Sequence, residues 1–172
     1  MADTTQFSPR PSITRGVIIG GMIAGMMMGM WEMILEAALS DGTGFWSPLV
    51  FIGATIIRGA QDLSFSAGTL PIGADFDSFT NFISAAFGMM GHMMNSMMFG
   101  LMFVVVVSSR RPAFLTQLMA GMAYGSMIFV VMWWVILPWI DPVMISLNGW
   151  VFFIAHLMWG GSLAMVNKIV AR

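Results

Sequence analysis

Four apolar runs, each long enough to cross a bilayer, constrain this chain more than any other feature. Crossing the hydrocarbon takes about 20 helical residues, and Gly16 to Leu39, Phe82 to Val107, Ala113 to Trp139 and Gly149 to Val170 all meet that length. Backbone groups in lipid must be satisfied within their own segment, which leaves the helix as the form such runs adopt. The expected fold is all-α, an integral membrane antiparallel four-helix bundle. It forms a single transmembrane domain over 1-172, with spans at about 16-39, 82-107, 113-139 and 149-170 and an external connection over 40-81. A fifth apolar run, Pro48 to Ile57, is too short to span. Ser47 followed by Pro48 reads as an N-cap with proline at the first helical position, so 45-60 is expected to hold a short interfacial or re-entrant helix.

Composition supports this reading and removes several function classes. The chain is 58% hydrophobic and 9% charged, whereas soluble domains carry roughly 25% charged residues. A net charge of -1 with no basic stripe gives nothing to neutralise phosphates, so nucleic acid is not an expected partner. With no cysteine, disulfides, thiolate metal sites and thiol catalysis are excluded. Residues 1–15 are polar and lack the pattern of a cleaved signal peptide, so the first apolar run is expected to be retained.

The basic residues set an expected orientation. Arg10 and Arg15 precede the first span, Arg110 and Arg111 sit between the second and third, and Lys168 and Arg172 end the fourth. Asp41, Asp62, Asp75, Asp77 and Asp141 fall on the other side. By the positive-inside rule both termini are cytoplasmic, in a bacterial or archaeal cytoplasmic membrane. Trp46, Trp139 and Trp150 then lie near the external interface, where amphipathic rings concentrate. Trp133 and Trp134 are deeper, and because neighbours on a helix diverge by about 100°, at most one of them faces a given pocket. Pro138 and Pro142 end the third span and shape the turn after it.

Helices in lipid associate through small residues that let backbones approach. Gly21, Gly25 and Gly29 form such a row in the first span, and Ser84, Gly88, His92, Ser96 and Gly100 form one in the second. Gln117, Gly121 and Gly125 do so in the third, and His156, Gly160 and Ala164 in the fourth. Both histidines therefore fall on packing faces. At about 1.5 Å per residue, His92 lies roughly 15 Å deep and His156 and Glu32 roughly 10 Å deep, all in the outer half of the bilayer. Glu32 shares a face with Gly25 and Gly29, Glu36 is one turn nearer the outside, and Asn95 follows His92 by three positions.

Ionisable side chains within spans are costly and call for a partner or a wet cavity. Glu32, His92 and His156 have the residue types of a metal site or a proton relay, and His92 with His156 could supply two axial ligands to haem b. The same three residues also read as a polar cluster holding helices together. Twenty-one methionines suit copper(I) by softness, but their spread over nearly every face of the first two spans fits adaptable packing better, and copper ranks below haem. No catalytic motif is present.

In the order of its elements the chain resembles a broad group of small four-span bacterial inner-membrane proteins, including YagU-like ones. The resemblance rests on Gly21-x-x-x-Gly25 leading to Glu32, the short segment opened by Pro48, and a histidine in the second span. It continues through Gly121-x-x-Tyr124-Gly125 ahead of a proline, and His156-x-x-Trp159-Gly160 in the last span. It implies a four-span fold and little about function, and the methionine excess departs from it. The leading expectation is a small accessory or assembly subunit of a larger membrane complex, respiratory or photosynthetic, with the lipid bilayer and other membrane subunits or self-association as partners. The alternatives are a haem b or metal-binding redox membrane protein using His92 and His156, and an ion or proton pathway through Glu32 and the histidines.

Overall fold

A computed structural model describes residues 13–58, 79–108 and 112–170. Helix α1 spans Ile13–Ala38, α2 Ser47–Arg58 and α3 Phe79–Ser108. Helix α4, Phe114–Val131, runs on through a π turn, Met132–Ile136, into α5, Leu137–Ile140. A 3₁₀ turn, Pro142–Ser146, then leads to α6, Gly149–Val170. The described residues are helical with no strand, and four stretches are long and apolar enough to cross a membrane: Gly16–Ala38, Asn81–Val106, Phe114–Ile140 and Gly149–Val170. The chain is an all-α integral membrane bundle. Arg10, Asp62, Asp75, Asp77, Arg110, Arg111 and Arg172, which carry much of the expected orientation, lie outside the described residues, as does 59–78 of the expected external connection.

The small-residue rows are the seams of the bundle. A side chain on Gly25 would meet Ser96 Oγ at 2.8 Å and one on Gly29 would meet His92 Nε2 at 3.3 Å, so α1 lies directly on α3. On the other side of the bundle, Gly121 faces the Gly160 carbonyl and Gly125 the His156 carbonyl, joining α4 to α6. Backbones this close leave carbonyl oxygens within reach of buried polar groups, which is how such seams are locked. Ser96 Oγ donates to Gly21 O (2.6 Å), Gln117 Nε2 to Ala164 O (3.1 Å) and Trp31 Nε1 to Val151 O (3.2 Å).

Helix α2 is more than a surface strip. Leu49, Val50, Phe51 and Ala54 are buried, and Gly53 and Gly88 let its backbone press against α3 at Ser84 to Gly88. Its first helical hydrogen bond runs from Val50 N–H to Trp46 O, one residue ahead of the expected cap, while Ser47 Oγ reaches back to Thr43 O (2.5 Å). The end of α1 is closed by Gly44, whose φ of 106° needs a residue without Cβ and whose N–H donates to Glu36 O.

The consequence for the bundle is an asymmetry. Helix α1 packs on α3 and α6, and α6 on α4, but α3 and α4 scarcely touch. At the end holding the 43–47 and 141–148 turns, α2 stands between them, against both α3 and the 3₁₀ turn. Toward the terminal end, Tyr124 Oη donates to Phe99 O (3.0 Å), tying α4 to α3, and the Tyr124 ring lies 5.6 Å from Phe103 and 5.8 Å from Trp159.

Candidate functional site: a cavity between the second and third spans

Beside α2, which contributes Ile52, Thr55 and Ile56 to its wall, lies a cavity of about 460 Å³. Its walls are mostly apolar, from residues such as Met28, Ile128, Met132, Phe99, Phe152 and Trp159. That volume and lining match the usual range of small-molecule sites, roughly 300 to 1,000 Å³ with a few polar groups on apolar walls. Ile56, Asn95, Met98 and Ile140 line it and are also exposed, so the cavity meets the outer surface on the side where α3 and α4 part.

The three ionisable residues singled out in the sequence, Glu32, His92 and His156, all reach this cavity and are all buried. Each histidine is fixed by a backbone carbonyl. His92 donates Nε2–H to Gly25 O (2.9 Å) and His156 donates Nδ1–H to Phe152 O (2.8 Å). In the neutral rings this leaves the lone pairs at His92 Nδ1 and His156 Nε2. The His156 ring is further held against Phe152, centroids 4.5 Å apart, and Phe129 at 5.8 Å. Glu32 is 2% exposed and its Oε1 has no hydrogen-bond partner among the described residues. Among those residues no group of three His, Asp or Glu side chains is placed to hold a metal ion.

Asp141 is a fourth ionisable group at the site, one that its place in the connecting turn did not single out. Pro138 has no N–H and its ring crowds the preceding turn, which accounts for the π turn, where Leu137 N–H donates to Met132 O. After that turn the chain bends at Asp141 and its carboxylate turns inward, 6% exposed, onto the cavity wall. Burial pushes its carboxyl up to about 6, partly offset by hydrogen bonds from Thr55 on α2 and the Met144 backbone. Its Oδ1 is buried without a partner among the described residues. The only sequence signal for this placement was an aspartate bracketed by two prolines, Pro138 and Pro142.

Glu36 has a different part. It stands a turn beyond Glu32, yet the 43–47 turn folds over it and leaves it 1% exposed. Oε2 accepts from Thr43 N–H and Thr43 Oγ1, both at 2.9 Å, and Oε1 accepts from Asn148 N–H at 2.7 Å. One carboxylate thus joins α1, the turn before α2 and the start of α6. Of the deeper tryptophans, Trp133 packs in, its ring 5.8 Å from Phe129, while Trp134 is exposed. Trp139 and Trp150 are exposed at the end of the bundle that carries the connecting turns, and Trp46 is more than one-third exposed there.

No family model, curated protein or solved structure matches this chain.

Proposed function

We propose that this chain is a small integral-membrane accessory subunit whose task is to hold an amphiphilic ligand inside the bilayer, serving a larger membrane complex. The observation that carries this reading is the cavity. It is walled in part by α2, lined by four ionisable side chains, and open on the flank where α3 and α4 part, the route by which a ligand partitioned into lipid would enter. The basic residues favour an orientation with both termini cytoplasmic, which puts α2 and Asp141 on the external side.

Extraction in mild detergent is expected to recover the chain with stoichiometric partner subunits and one equivalent of a lipophile. The lipophile should be absent from a Met132→Trp variant, whose larger side chain fills the cavity. A clean monomer carrying no lipophile would contradict the proposal.

A second reading, haem b held between His92 and His156, is supported by one specific feature. Both rings reach one cavity, and each donates its other N–H to a carbonyl, the arrangement that orients ligating histidines. It requires haem bands that sharpen on dithionite reduction and vanish in His92→Ala and His156→Ala; a featureless spectrum of the protein from its native membrane removes it.

A further inference from the structure

The cavity's polar groups are almost all acceptors. Glu32 Oε1 and Asp141 Oδ1 are buried without partners among the described residues. The histidines present lone pairs, because their N–H groups are held by Gly25 O and Phe152 O. The donors on the same wall are already engaged. Ser96 Oγ–H goes to Gly21 O, Trp159 Nε1–H to Ser96 Oγ (2.7 Å), and the Thr55 hydroxyl lies between Phe51 O (3.4 Å) and Asp141. Asn95, at the exposed rim, is the one side-chain amide there, and no Lys or Arg lines the cavity.

A buried acceptor left unpaired costs more than a bond made, and two carboxyl groups at such a site favour a ligand that brings both hydrogens and positive charge. Phe99, Phe152 and Trp159 also line the cavity, and aromatic rings can attract cations. From these observations, and resting on the reading of the cavity as a ligand site, we infer that its ligand is a lipophilic ammonium: an alkyl or aryl amine whose charged head sits between Glu32 and Asp141 while its apolar tail lies toward the gap between α3 and α4. An ionised fatty acid or acidic lipid headgroup fits less well, because it brings negative charge and further acceptors to a wall that already holds two carboxyl groups and no Lys or Arg.

The test compares dodecylamine, dodecanol and dodecanoate binding to the full chain in detergent, read by native mass spectrometry. Dodecylamine is expected to bind one to one, at least about tenfold more tightly than dodecanol, with dodecanoate weaker still. The preference should fall to near parity in Glu32→Gln with Asp141→Asn, provided that variant keeps the wild-type melting profile; if it does not, the wild-type comparison stands alone. Equal binding of dodecanol and dodecylamine, both blocked by Met132→Trp, would overturn the ammonium assignment while leaving the cavity as a ligand site. Binding of none of the three would overturn both.

Discussion

At the residue scale, two carboxylates of similar burial do opposite things because of what surrounds them. Glu36 has both oxygens engaged by Thr43 and Asn148, groups 7 and 112 positions away in the chain. Nothing local to Glu36 in the sequence points to either partner, which is why its role was not legible there. Glu36→Ala should lower stability by about 2–4 kcal/mol, since hydrogen bonds to a charged group are worth roughly 1.5–3 kcal/mol each and the freed N–H groups stay partly buried; the midpoint of denaturant unfolding in detergent measures it. Asp141 is the reverse case, a carboxyl raised from 3.8 to about 6 by burial. A raised value means that the folded state binds the proton more tightly, so its stabilising effect is complete below about pH 4 and is lost as pH rises through about 6. Asp141→Asn should flatten that part of the stability profile and melt higher than wild type at pH 8. A profile identical to wild type would show that Asp141 is not buried as described.

At the element scale, the four spans and the small-residue faces on which they pack were legible, and for one reason. Small residues recurring every four positions mark where backbones touch, and Gly25 on Ser96 and Gly121 on Gly160 are such contacts. The seating of α2 was not legible, because its short apolar run reads as an interfacial or a re-entrant helix and neither reading says which helix it packs against. What decides it is the pairing of Gly53 with Ser84 and Gly88 with Leu49. A methyl group on Gly53 would strike the Ser84 carbonyl, whereas one on Gly91 would meet Ile52 at 3.5 Å, an ordinary contact. Gly53→Ala should therefore cost about 1–3 kcal/mol by overpacking. Gly91→Ala should be neutral or slightly stabilising, helped by the better helix propensity of alanine. Thermal melts of the two variants side by side check the seam, and equal melting points would mean that α2 is not seated there.

At the scale of the whole molecule, the open flank follows from which helices share seams. The bundle closes through α3, α1, α6 and α4 in turn, and the fourth side is bridged by α2 above and Tyr124 below instead of a helix seam. The sequence showed that His92, His156 and Glu32 lie at similar depth on packing faces, but not that one pair of neighbouring spans stays apart. That depends on α2 occupying the place between them. The account makes one claim above the others: a ligand enters from the bilayer and rests inside the bundle. Photolabelling in nanodiscs with a diazirine-bearing alkyl amine, mapped by peptide mass spectrometry, tests it most directly. Met28 and Ile128, 8% and 9% exposed, line the cavity and are shielded from bulk lipid. The account predicts adducts at these two residues in the wild-type chain, suppressed by excess dodecylamine and absent in Met132→Trp. Adducts confined to lipid-facing positions such as Met22, Met26 and Met94 would contradict it.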